Sequence, residues 1–113
     1  MAVFMGAFPV LPGKEEELRK FAEETRSRRG EFDASQQRLG ITKELWVLQQ
    51  SPEGSMVIIH FESDDVEGAL ATFAQSDDSF DAWFKDRVKE ISGVDLNEPP
   101  PGPLPEVIFD WSS

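Results

Sequence analysis

Residues 41–62 read ITKELWVLQQSPEGSMVIIHFE, and this stretch decides the fold of the chain. Two runs rich in β-branched and aromatic residues flank the turn-forming cluster at residues 51–55, a pattern that predicts an antiparallel hairpin with a medium-length loop. In the second run, residues 56–61, both alternating sets of side chains are mainly apolar. This strand is therefore expected to need cover on both faces of its sheet.

The composition favours a single globular domain spanning residues 1–113. There is no cysteine, which excludes a disulfide framework, a thiol nucleophile and a thiolate metal site. The net charge of −11, from 22 acidic and 11 basic residues, predicts neither a nucleic acid nor an anionic membrane as a partner. The N-terminus has no basic segment followed by a long apolar run, so we expect a cytoplasmic protein.

The first part of the chain predicts a strand followed by a helical region. Residues 2–10, AVFMGAFPV, are typical of a strand. From Lys14 to Leu39 the apolar residues recur at helical spacing. Gly30 lies within this pattern and predicts a break or a kink, and Gly40 is the expected end of the helix.

The part that follows the hairpin predicts two helices and a last strand. The first helix is expected to begin at Asp64, and the second carries aromatic residues at helical spacing and ends near Gly93. Residues 97–105 are too rich in proline for a helix or a central strand, so they predict a stiff connector. Residues 106–111, EVIFDW, then predict a fourth strand.

The element order β-α-β-β-α-β predicts an α+β fold of the ferredoxin-like type. Two right-handed crossovers would give a four-stranded antiparallel sheet with its helices on one face. The other face of that sheet would then be apolar and uncovered. A second copy of the chain is the simplest cover for it, so we expect a homodimer formed through the open sheet face.

Several segments resemble those of a known superfamily. Residues 11–18, LPGKEEEL, follow a short apolar strand and resemble the opening of dimeric α+β barrel proteins, which include antibiotic-biosynthesis monooxygenase-like and stress-responsive members. Residues 76–84, SDDSFDAWF, and residues 99–106, PPPGPLPE, are similar to a subgroup of small bacterial proteins of unknown function. The resemblance implies a homodimer in which two sheets pack face to face into a barrel. It does not imply catalysis.

His60 is the only histidine and lies in the apolar strand. It can act as a general base or a ligand contact in a pocket, and it is the only catalytic candidate. The alternative is a core or interface histidine with one satisfied hydrogen bond. A lone histidine without cysteine predicts no zinc site. Haem-degrading members of the superfamily have their axial histidine on a helix, so the position of His60 on a strand argues against haem, and no cofactor is expected.

Trp46 alternates with Glu44 and Leu48, which allows it either to line a pocket between sheet and helices or to pack in the core. Cofactor-independent monooxygenases of this fold use a tryptophan with a polar amide and an arginine near the substrate. The only asparagine here, Asn97, lies in the connector, so that constellation is not recognised. His60 and Trp46 are the predicted ligand-binding residues.

The sequence leaves four functions open. The protein can bind a small apolar molecule between sheet and helices, act as a cofactor-independent monooxygenase, serve as an association module without a pocket, or sense a ligand as a regulatory domain. Whether it is an enzyme stays undecided at this stage. The acidic residues near the predicted helix starts are interpreted as exposed caps and first-turn residues: Asp64, Asp65, Asp77, Asp78 and Asp81.

Overall fold

The computed structural model describes residues 2–98 and 102–113, so the middle of the predicted connector, residues 99–101, lies outside the described residues. The described chain is an α+β fold with three strands and four helices. In chain order these are β1 (Ala2–Val10), α1 (Glu15–Ser27), α2 (Arg29–Leu39), β2 (Ile41–Ser51), β3 (Gly54–Ser63), α3 (Val66–Gln75) and α4 (Ser79–Ser92).

The predicted hairpin supplies the central strand β3 and the edge strand β2. Its loop is a two-residue turn, because Ser51 pairs with Gly54, and is shorter than the medium-length loop that the sequence predicts. β2 and β3 pair antiparallel, with Trp46 opposite Ile59, and β1 pairs antiparallel with the other edge of β3, giving the order β1-β3-β2. At the turn the Ser51 hydroxyl donates to the carbonyl of Gly54 over 2.7 Å. Gly54 has a φ of 129°. Residues with a Cβ atom rarely adopt this conformation, so the glycine determines where the turn forms.

The predicted helical region from Lys14 to Leu39 is two helices. The break falls at Arg28, whose backbone N–H donates to the carbonyls of Glu24 and Thr25. Gly30 lies inside α2, so the predicted break is present but begins two residues earlier. Gly40 ends α2 in the left-handed conformation with φ of 72°, as predicted.

The next two helices have caps close to the predicted ones. The N-cap of α3 is Asp65 rather than Asp64, because the Asp65 carboxylate accepts the backbone N–H of Gly68 over 3.0 Å. Gly93 ends α4 in the left-handed conformation, as predicted. No helix in residues 2–98 or 102–113 has the length and apolar character needed to cross a membrane.

The predicted fourth strand is wrong for the described chain, and with it the four-stranded ferredoxin-like plait. Residues 106–111 form no strand. Leu104 packs against the cluster around Phe4 and Phe61, but the chain beyond it is exposed, with Ile108 at 87% and Phe109 at 82%. Alternating apolar residues specify a strand only where another strand pairs with them and something covers them, and the described residues provide neither.

The alternation along the strands separates the two faces of the sheet. Phe4, Val57 and Phe61 point towards the helices and are buried. The opposite face, which we call the open face, has no helix on it among residues 2–98 and 102–113. Its apolar side chains are those of Val3, Met5, Ala7, Pro9, Leu45, Val47, Met56 and Ile58, and its polar side chains are those of Lys43, Gln49, His60 and Glu62.

A buried polar cluster joins α2 to α4 and to the segment before it. The Asp81 side chain has no exposed surface, and its carboxylate accepts the hydroxyls of Ser35 and Ser76, each over 2.6 Å. Arg38 lies 3.4 Å from the same carboxylate. Asp81 is thus a buried residue that connects α2 and α4 through hydrogen bonds. The sequence predicts an exposed first-turn residue at this position.

Candidate functional site

A cavity of about 120 Å³ lies between the sheet and the helices. Every strand and every helix contributes side chains to its wall, and nearly all of these are apolar. A cavity of about 150 Å³ with a similar apolar lining is known to hold a molecule of the size of benzene. The site therefore has room for a single ring or a short branched chain.

Aromatic side chains form one wall of the cavity. The ring of Phe21 stacks on Trp46 with 5.2 Å between centroids, and it meets Phe84 edge-on at 4.8 Å. Phe84 also lies edge-on to Trp46 at 5.7 Å. Such rings are rigid and bring no polar atoms except the indole N–H, so this wall is apolar and of fixed shape.

Glu44 is the only ionisable side chain in the cavity wall, within the part of the chain that the structure describes. One carboxyl oxygen accepts the Trp46 indole N–H over 2.6 Å, and the other accepts the Gln36 amide over 3.1 Å. Burial raises the pKa of Glu44, and these two hydrogen bonds oppose that effect only in part, so the pKa stays above its usual range.

The two predicted ligand-binding residues lie on opposite faces of the sheet. Trp46 points into the cavity, and its indole N–H donates a hydrogen bond to the carboxyl group of Glu44. His60 lies on the open face between Met5 and Leu45, its register partners on the neighbouring strands. Its Nε2 atom is 3.1 Å from the carboxylate of Glu62. The structure does not bring His60 and Trp46 together, and the functional roles of both remain predictions.

Glu44 and Gln36 are residues of the cavity wall that the sequence patterns did not predict. Glu44 shares a strand face with Trp46, so a carboxyl group on an otherwise apolar face was the available signal. Gln36 lies one helical turn after Phe32, on the inner stripe of α2. Among residues 2–98 and 102–113 there is no group of three or more His, Asp or Glu side chains that could hold a metal ion.

Replacing Glu44 with glutamine is expected to raise the free energy of unfolding at neutral pH, because it removes a carboxylate whose charged form is disfavoured by burial. The raised pKa means that folding favours the neutral carboxylic acid. The contribution of Glu44 is therefore fully present below its pKa in the unfolded chain and is lost as the pH rises through its folded pKa. Denaturant unfolding at several pH values measures the difference.

The gain from Glu44→Gln should disappear on acidification towards the usual pKa of glutamic acid. Glu53→Gln, in the exposed hairpin turn, removes the same charge and should leave the pH profile of stability unchanged. A profile for Glu44→Gln that runs parallel to the wild type would show that Glu44 ionises as freely as a surface carboxylate.

These features define, for the described residues, a small α+β protein with a mostly apolar cavity between a three-stranded sheet and its helices, and with the carboxyl group of Glu44 in that cavity. The chain belongs to the family described as "Family of unknown function (DUF6176)", which matches residues 1–98. The match covers the three strands, the four helices and the whole cavity wall. No curated protein and no solved structure matches the chain.

Proposed function

We propose that the protein is a homodimer that binds one small, largely apolar molecule in the cavity between the sheet and the helices. The observation that carries the proposal is the cavity itself, which is preformed, apolar and in contact with Trp46. Burial of an apolar ligand in such a site is favourable because it removes apolar surface from water, and a few polar groups then set its orientation.

Toluene is a suitable first probe because it matches the size and the apolar wall of the cavity. Trp46 contacts the cavity, so its fluorescence should change on binding and saturate. Ala69, buried on α3, also lines the cavity. Ala69→Leu should fill part of the space and abolish the saturable signal.

Ala71→Leu is the matched control, because Ala71 is exposed on the same helix. This variant should bind toluene like the wild type, and circular dichroism should show that both variants are folded. Absence of saturable binding to the wild type, or equal binding to Ala69→Leu, would contradict the proposal. Native mass spectrometry of the protein purified from its host would show whether it retains a ligand.

The homodimer is supported by the open face. Met5 is 53% exposed and Leu45 is 52% exposed, and His60 lies between them. An apolar sheet face of this kind is typical of an interaction surface. The resemblance of residues 11–18 to dimeric α+β barrel proteins supports a second copy as the partner. Two open faces would then pack against each other at a spacing of about 10 Å.

Met5→Asp is expected to convert the dimer into a monomer. The change introduces a carboxylate into the proposed interface opposite His60, where it would be buried in the dimer. Light scattering at micromolar concentration should give the dimer mass for the wild type and the monomer mass for Met5→Asp. The interface should bury upwards of about 2,000 Å² in total.

Thr72→Asp, on an exposed position of α3, adds the same charge away from the open face and should leave the dimer intact. A monomer mass for the wild type at this concentration would reject the homodimer. Unchanged dimerisation of Met5→Asp would place the interface elsewhere.

A second candidate function is that of a cofactor-independent monooxygenase. The observation in its favour is that the indole of Trp46 and the amide of Gln36 meet at Glu44 inside the cavity. The arginine of that constellation has no counterpart among the described cavity residues. Oxygen uptake with a hydroquinone substrate that is lost in Gln36→Leu would support this function, and uptake no faster than in buffer would reject it.

A further inference from the structure

We infer that Glu44 makes the cavity selective for a small apolar amine, which binds as its ammonium cation with the charge against the Glu44 carboxylate. This inference rests on the proposed binding function and adds the chemical class of the ligand. It follows from the charge, the hydrogen-bonding capacity and the shape of the site.

Glu44 has no countercharge within the part of the chain that the structure describes. No other side chain in the described cavity wall is ionisable. Four basic side chains on or beside the surrounding helices have other partners. Three of them form ion pairs: Arg28 with Glu31, Arg38 with Asp78 and Asp81, and Arg87 with Glu17, Glu24 and Glu90. The ammonium group of Lys85 donates to the backbone carbonyls of Phe73, Ala74 and Ser76. A buried carboxylate is stable when a cation pairs with it, and here the ligand can supply that cation.

The two protein hydrogen bonds orient the carboxyl group of Glu44 without using up its acceptor capacity. Each oxygen accepts one N–H, from Trp46 or from Gln36. A carboxylate oxygen has two acceptor positions, so one remains on each oxygen. An ammonium group brings three N–H donors and a positive charge, and charge-assisted hydrogen bonds are the stronger kind.

The rest of the cavity wall also suits an apolar amine. The aromatic rings of Phe21, Trp46 and Phe84 surround the space and can contact both an apolar body and a cation. The net charge of −11 also raises the local concentration of cations around the protein. A carboxylic acid of the same size would instead meet the repulsion of Glu44.

The test compares benzylamine with toluene, which have the same ring and differ in the ammonium group. Titrations of both probes into the wild type and into Glu44→Gln would follow the fluorescence of Trp46. We expect Glu44→Gln to weaken benzylamine binding by about tenfold or more and to change toluene binding by less than about twofold. Toluene binding by the variant also shows that its cavity is intact.

A second measurement uses the wild type alone, so it does not depend on the folding of a variant. Between about pH 4 and about pH 8, benzylamine should bind more tightly as Glu44 loses its proton, while toluene binding stays constant. Equal effects of Glu44→Gln on the two probes, or a benzylamine affinity independent of pH, would overturn the inference and leave the proposed binding function in place. Failure of both probes to bind the wild type would overturn the proposed function and the inference together.

Discussion

Phe21→Ala is expected to lower the free energy of unfolding by about 3–5 kcal/mol. Phe21 is 3% exposed, and its ring contacts Trp46, Trp83 and Phe84 at centroid distances of 4.8 to 5.5 Å. Removing the ring loses these contacts. It also enlarges an existing cavity, which rigid aromatic neighbours cannot close. Chemical denaturation of the variant and the wild type measures the loss.

Phe109→Ala is the matched control for this prediction. It makes the same chemical change at a side chain that is 82% exposed, and it should alter the stability of the monomer by less than about 0.5 kcal/mol. A loss below about 1 kcal/mol for Phe21→Ala would mean that helix α1 is not anchored to the sheet through this ring.

Asp81→Ala is expected to lower the free energy of unfolding by about 3 kcal/mol. The change leaves the buried hydroxyls of Ser35 and Ser76 without their acceptor. It also removes one of the two carboxylate partners of Arg38, but that side chain is 44% exposed and keeps Asp78 at 3.1 Å, so the lost ion pair contributes little. Most of the expected loss therefore comes from the two hydrogen bonds at the buried carboxylate.

The pH dependence of stability gives an independent check on Asp81. Burial alone would raise its pKa, but the hydrogen bonds from Ser35, Ser76 and Arg38, together with the charge of Arg38, hold the pKa below its usual range. The contribution of Asp81 is thus present above the pKa of the unfolded chain and is lost as the pH falls through the folded pKa. The acid side of the stability profile should become flatter in Asp81→Asn.

Asp86→Ala serves as the control, because Asp86 is exposed on the same helix. Both its stability and its acid profile should match those of the wild type. A loss of similar size in Asp86→Ala and Asp81→Ala would assign the effect to the net charge of α4 and not to the buried cluster.

Much of the fold could be predicted because it depends on local patterns. The hairpin, the start of β1 and the glycine ends of α2 and α4 each follow from residue types within a few positions of one another. The observed N-cap of α3, Asp65, differs by one residue from the predicted N-cap, Asp64, because two adjacent aspartates offer the same carboxylate group. The prediction of a fourth strand at residues 106–111 was wrong because strand formation there depends on a pairing partner, which no local pattern specifies.

The site could be predicted in part for the same reason. Strand alternation placed Trp46 between the sheet and the helices, as one of two alternatives, and the structure puts it there. Alternation also separates His60 from Trp46, because residues 46 and 60 lie on opposite faces once the register pairs Trp46 with Ile59. That register is a long-range property, so two candidates that the sequence grouped together lie on different surfaces. Asp81 and Glu44 were missed because burial of a carboxylate depends on which helices meet over it.

The cavity has a consequence for the volume of the protein. A void lined by apolar side chains occupies space in the folded state that is lost when the chain unfolds, so hydrostatic pressure favours unfolding. Volume changes of unfolding are about −20 to −100 mL/mol and scale with the void that is removed. A cavity of about 120 Å³ in a chain of 113 residues should therefore make this protein sensitive to pressure. A molecule that fills the cavity would reduce that volume change, so the pressure at the unfolding midpoint would rise with occupancy even for a ligand that gives no optical signal.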